Sequence, residues 1–150
     1  MKPPVFDYAG AEHIDEVTKF LSEEGDEAQL LAGCKSLVAM LNMRLVRPAL
    51  VVDISNLPGQ DFIRLQDGFV EIGCTVTQSD LHSWSGLDTS LPLLARALPW
   101  VGHPQTRHKG TICGSVAHAD PSAKLPLCFA ALGGEVLMYS SQGERLHKAD

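Results

Sequence analysis

From Arg107 to Pro126 the chain reads RHKGTICGSVAHADPSAKLP, a run with two glycines, few large apolar side chains, and a Thr and a Ser around the second glycine. Such a run contributes little to a hydrophobic core. The rest of a 150-residue chain must therefore supply the core, and the run itself must be held against something other than apolar side chains. One modest domain, or two small lobes sharing a core, fits that length. With 45% hydrophobic and 20% charged residues, there is enough apolar surface to offset chain entropy, which argues against disorder.

Around that run the pattern alternates between helix and strand. Ile14, Val17, Phe20 and Leu21 recur at helical spacing, and Gly25 is a natural stop. A short strand is expected over Ala28–Gly33, then a helix over Ser36–Leu45 capped by Ser36, then a buried strand over Ala49–Ile54 after Pro48. FIRLQDGFVEIG predicts a hairpin turning at Asp67-Gly68. Helices are expected over Thr77–Trp84 and Ser90–Leu98, with Thr77 and Ser90 as caps and Pro92 in a first turn. LPLCFAALGG reads as a buried helix closed by Gly133 or Gly134, and a last hairpin turns at Gln142-Gly143. Pro58 and Gly59 mark a boundary near Asn56–Gln60, which divides the chain into 1–57 and 58–150.

Two glycine turns stand out. In LLAGCKSL (Leu30–Leu37) a strand delivers the chain to Gly33 and a helix starts at Ser36. Amides of such a turn, together with the helix dipole, suit a phosphate, and the glycine lets the ligand approach the backbone. In GTICGS (Gly110–Ser115) two hydroxyls bracket Gly114, a composition suited to a backbone nest. Taken alone, the plainer readings stand first: a capped strand-to-helix turn, and a tight turn between helix and strand. Neither matches a Walker loop or the GxGxxG fingerprint. Two phosphate-compatible turns together fit a diphosphate better than a single phosphate.

Other chemistries find less support. Cys34, Cys74, Cys113 and Cys128 show no CxxC spacing, so no zinc site or self-contained iron–sulfur cluster is legible. Reduced thiols of a cytoplasmic protein are the simpler reading, with Cys74 and Cys128 in the core. His103, His108 and His118 match no ligand pattern, and nothing ties Ser36, Ser115 or Cys34 to a base. A net charge of −6 disfavours nucleic acid. No apolar run approaches the roughly 20 residues of a membrane span, and residues 1–20 show no apolar leader segment.

Three longer stretches carry a resemblance. FDYAGAEHIDEV, LLAGCKSLVAMLNMRLVRPALVVDI and HPQTRHKGTICGSVAHADPSAKLP agree in order, spacing and flanking residues with one family. The chain resembles the FAD-binding medium subunit of the molybdenum hydroxylases, the group that includes carbon monoxide dehydrogenase and xanthine dehydrogenase. The resemblance implies an α+β, two-lobed FAD-binding fold of the PCMH or vanillyl-alcohol-oxidase-like kind, with a small N-terminal α/β lobe and a second α+β lobe. It also implies that an Ala-Gly-Gly-x-Ser turn and a Thr-Ile-Gly-Gly turn both face the pyrophosphate of FAD. Here these turns read Ala32-Gly33-Cys34-Lys35-Ser36 and Thr111-Ile112-Cys113-Gly114, each with a Cys where the family usually has Gly. The resemblance further aligns Val101 and Gly102 with the chain beside the isoalloxazine ring, and Ser115 with a small polar position after the second turn. Lys124 stands where the family usually carries an acid and is not counted in the site.

The same resemblance implies a role without a catalytic side chain or a metal of its own. In such enzymes the substrate reacts at a molybdopterin-binding large subunit, and an iron–sulfur small subunit relays electrons to FAD in the medium subunit. An external acceptor, NAD, a quinone or oxygen, then takes them. Molybdopterin and iron–sulfur clusters are expected only in those partner subunits. The family's medium subunit extends well past 150 residues, so the N-terminal FAD-binding part alone is expected here. A stand-alone flavoprotein oxidoreductase and a flavin-free assembly module remain as alternatives.

Overall fold

The computed structural model describes residues 2–149. It opens with β1 (Asp7–Gly10), α1 (Ile14–Glu24), β2 (Ala28–Leu31), α2 (Leu37–Asn42) and β3 (Leu50–Asp53). The three strands form a parallel sheet in the order β1-β3-β2, with Leu50 opposite both Asp7 and Ala28. Val51 and Val52 in the central strand are both fully buried, as expected of a parallel strand covered on both faces. Val17 of α1 packs with Ala28, Leu50 and Val52 in one hydrophobic cluster. Gly25 ends α1 with φ +56 while its amide donates to the Leu21 carbonyl, a reversal that glycine makes cheaply.

Two hairpins and a run of short helices follow. β4 (Ile63–Gln66) and β5 (Phe69–Ile72) pair antiparallel across Asp67-Gly68, both at positive φ as a type I′ turn requires. Then come α3 (Gln78–Ser83), α4 (Leu87–Ser90), α5 (Pro92–Ala97), α6 (Pro104–Arg107), α7 (Ile112–His118) and α8 (Lys124–Ala131). These helices enclose a second cluster that includes Val76, Leu81, Leu98, Ile112 and Leu125. The chain closes with the hairpin β6 (Glu135–Ser140) and β7 (Gly143–Lys148), and β6 rests against α1. Helices and strands are thus mixed as an α+β fold requires. Among the described residues no helix is long and apolar enough to cross a membrane.

Four local departures from expectation have physical causes. The helix expected to Leu45 ends at Asn42, because Arg44 turns left-handed (φ +58) and redirects the chain toward β3. Ser90 caps nothing; it is the last residue of α4, a helix too short to show a period, and Leu91 precedes Pro92 at the start of α5. β1, absent from the sequence reading, has no alternation of its own and forms by pairing with β3. The GTICGS segment is not a helix-to-strand turn: from Ile112 onward it is helical, with Thr111 as its cap.

Candidate functional site

The first turn leaves the carboxyl end of β2, between Leu31 and α2. Its amides carry the interest: those of Gly33, Cys34, Lys35 and Ser36 donate to no carbonyl or side chain among the described residues. Cys34 sits at φ +61, a left-handed conformation that glycine adopts freely and that costs an ordinary residue about 1–2 kcal/mol. Successive free amides with a left-handed residue among them form a concavity suited to an anion. Ser36 precedes α2 but makes no side-chain capping bond. The Cys34 thiol donates to the Ala32 carbonyl at 3.4 Å. Burial, and then Asp53, hold its pKa above the ordinary value against the pull of Lys35 and Lys109. It is therefore a protonated thiol at neutral pH and a poor nucleophile.

The second turn is fastened from the other side. The Gln78 amide donates to the Gly110 carbonyl at 2.8 Å, and the Ile112 amide to the Val76 carbonyl at 3.1 Å, with Thr77 opposite Thr111 in an antiparallel bridge. Thr111, 5% exposed, then caps α7 by accepting the Gly114 amide on its Oγ1 at 3.0 Å. A methyl on Gly114 would stand 2.5 Å from that oxygen, so the glycine is what permits the cap. Ile112 commits its side chain to the core and its amide to Val76. Cys113 is helical and turns its thiol inward, toward the carbonyls of Ile72 and Gly73 at 3.6 and 3.8 Å. Burial pushes that thiol up to about 11. Glycine in place of Cys thus suits the backbone at 34 but is not called for at 113.

The two turns meet. A methyl on Gly33 would collide with the Lys109 carbonyl oxygen and stand 2.7 Å from the Gly110 Cα and 2.8 Å from the Thr111 nitrogen. No side chain fits there, so the two loops lie backbone against backbone. The Thr111 amide has no backbone acceptor among the described residues and adds to the free amides of the first turn. Lys35 and Lys109, one from each turn, both lie close enough to Cys34 to act on its thiol. The result is a junction of unpaired N–H groups and two cations, the donor set a diphosphate calls for.

Val101 and Gly102 connect to this junction through α6. Gly102 has φ +55, and the Thr106 side chain lies beneath it, 3.4 Å from where a Cβ would be. The Thr106 carbonyl in turn accepts the Gly110 amide at 2.8 Å. Arg107 Nη1 donates to the carbonyls of Val101 (3.2 Å) and Gly102 (3.0 Å), pinning the loop. Ser115 is half-buried in the first turn of α7.

Sequence reasoning missed Gln78, Arg107 and Lys109; it placed Gly110 in the second turn but did not count it among the contacts. His103, His108 and His118 are all exposed, and no cluster of His, Cys, Asp and Glu that could hold a metal occurs among the described residues. At the carboxyl end of the sheet, Tyr8 donates its hydroxyl to Asp53 at 2.5 Å. Burial opposes the Asp53 carboxylate, but hydrogen bonds from Tyr8 and Ser55 outweigh it and hold its pKa below the usual value.

Comparison with known proteins places this geometry among relatives. Residues 4–150 match the family described as the FAD binding domain in molybdopterin dehydrogenase. The alpha subunit of the 6-hydroxypseudooxynicotine dehydrogenase complex of Paenarthrobacter nicotinovorans is 43% identical over 97% of this chain and 49% of its own length. The carbon monoxide dehydrogenase medium chain of Hydrogenophaga pseudoflava is 34% identical over 100% of this chain and 52% of its own. A solved structure of carbon monoxide dehydrogenase from Hydrogenophaga pseudoflava, lacking the Mo-pyranopterin moiety of its cofactor, superposes with a TM-score of 0.96 at 35% identity, covering 100% of this chain and 52% of that one. The chain therefore spans about half the length of the relatives it matches.

Proposed function

The chain belongs to the family of FAD-binding domains in molybdopterin dehydrogenases, and from that premise we propose that it is the flavin-binding part of a molybdenum hydroxylase medium subunit, holding FAD across its two glycine turns. The observation that carries the reading is the seating of Gly33 on the Lys109–Thr111 backbone, which gathers the free amides of both turns at one junction. Ala32, Gly33, Cys34, Lys35 and Ser36 from the first turn, with Thr111, Ile112, Cys113, Gly114 and Ser115 from the second, would hold the diphosphate. Ile112, Gly114 and Ser115 serve there by placing the turn, since their own amides are already bonded. Val101 and Gly102 would run beside the isoalloxazine ring. We divide the chain into lobes 1–57 and 58–150, with the cofactor between them.

FAD, when bound, supplies a redox centre that accepts and returns two electrons. Lys35 and Lys109 would offset the charge of the diphosphate, and the free amides of the two turns would fix the orientation of the nucleotide. No side chain here need act as acid, base or nucleophile, which agrees with thiols at Cys34 and Cys113 that stay protonated at neutral pH. We assign the substrate reaction to a molybdopterin-binding large subunit and the electron relay to an iron–sulfur small subunit, with NAD, a quinone or oxygen as the final acceptor. One relative is named for 6-hydroxypseudooxynicotine and another for carbon monoxide. A domain common to such dissimilar names is fitted to a cofactor rather than to a substrate. Four free thiols suit the reducing cytoplasm.

The test is a titration of the purified full chain with FAD, FMN and riboflavin, followed by flavin absorbance and fluorescence. The reading predicts one FAD per chain, bound far more tightly than FMN, which lacks the second phosphate. Failure to take up FAD, or equal affinity for FMN, would overturn it.

A further inference from the structure

Gln78 packs against the second turn at Gly110. It is the first residue of α3, 5% exposed, and its side-chain oxygen Oε1 is buried without a hydrogen-bond partner. Burying an unpaired acceptor costs free energy that an apolar side chain of the same length would avoid. The carboxamide nevertheless sits hard against the second turn. A methyl on Gly110 would stand 2.9 Å from Nε2 and 3.3 Å from Cδ of Gln78, while the main-chain amide of Gln78 holds the Gly110 carbonyl at 2.8 Å. Gly33 also lies against Gly110, with its own missing side chain directed at the Gly110 Cα. Gly110 is thus in close contact with both Gly33 and the Gln78 carboxamide.

We propose that Gln78 is a positioning residue for the flavin nucleotide, resting on the FAD reading above: its carboxamide sets the seat of Gly110 against Gly33, and its unpaired oxygen is a cost that the cofactor-free chain carries for that seat. A polar group kept for positioning should cost stability in the free chain and return it as affinity for the ligand, the trade expected where a site is pre-formed.

The experiment compares wild type, Gln78→Met and Gln78→Asn as full chains, with any subunits that co-purify, measuring the melting temperature without FAD and the FAD dissociation constant. Gln78→Met keeps the length and removes the unpaired oxygen. It should melt at the wild-type temperature or above, yet bind FAD at least tenfold more weakly. Gln78→Asn keeps the amide but withdraws it from Gly110, and should bind several-fold more weakly. FAD affinity within twofold of wild type in either variant overturns the proposal, as does a Gln78→Met chain whose melting temperature falls along with its affinity. A wild-type chain that takes up no FAD overturns the flavin reading and this inference with it; wild-type uptake with unchanged variants overturns this inference alone.

Discussion

Gly33 and Gly110, far apart in sequence, lie in backbone contact: a methyl on the first would stand 2.7 Å from the Cα of the second. The obstacles around Gly33 are main-chain atoms, which cannot swing aside as a flexible side chain can. Gly33→Ala should therefore push the two turns apart, cost about 1–3 kcal/mol in stability and weaken FAD binding roughly tenfold or more. Gly10→Ala, where nothing lies within 4 Å, is the control and should change stability by no more than about 0.5 kcal/mol. Denaturant melts and FAD titrations of the two variants check both numbers.

The two cysteines that stand where the family usually has glycine should respond with opposite signs. Cys34 is left-handed, so Cys34→Gly relieves strain, and after the extra freedom of the unfolded chain should stabilise by about 0.5–1 kcal/mol. Cys113 is helical with its thiol turned inward, so Cys113→Gly should destabilise by about 1–2 kcal/mol through lost helix propensity and a small cavity. Equal shifts of the same sign in chemical denaturation would contradict the backbone assignment.

Thiol chemistry gives a pH test. Burial raises Cys113 from the usual 9.0 to about 11. A thiol pKa raised by folding contributes stability that is present below the unfolded value and lost as pH rises through the folded one. Relative to Cys113→Ala, the wild-type chain should therefore lose stability between pH 9 and about 11, by up to roughly 3 kcal/mol. At pH 8 an alkylating reagent should label exposed Cys34 first and reach Cys113 only on unfolding, which peptide mapping would resolve.

Arg107 anchors the Val101–Gly102 loop through three carbonyls. Arg107→Met should free that loop, raising amide exchange over residues 100–102 and altering the visible spectrum of bound flavin. Its effect on FAD affinity should be smaller than that of Gly33→Ala, because the diphosphate junction is left intact.

Where local chemistry decides the backbone, the sequence is legible. Asp67-Gly68 announces its hairpin, Thr77 its cap, and Gly25 the end of α1, because each acts on residues a few positions away. α7 reads as a turn because Gly114, within its first turn, interrupts any apolar period and hides the Thr111 cap. β1 and the Gly33–Gly110 contact leave no local trace, since both arise from pairing between segments distant in sequence. The glycine turns themselves are visible one at a time; that they touch, and that Gln78 packs against the second, is a property of the packing.

The central claim is that both turns grip one nucleotide. Hydrogen exchange of the full chain, measured as FAD is added, tests it most directly. The account predicts that the amides of residues 33–36 and of Thr111, which have no acceptor among the described residues of the free chain, gain protection together, at the same FAD concentration, with FMN giving less. Protection confined to one turn, or arising in the two at different FAD concentrations, would contradict it.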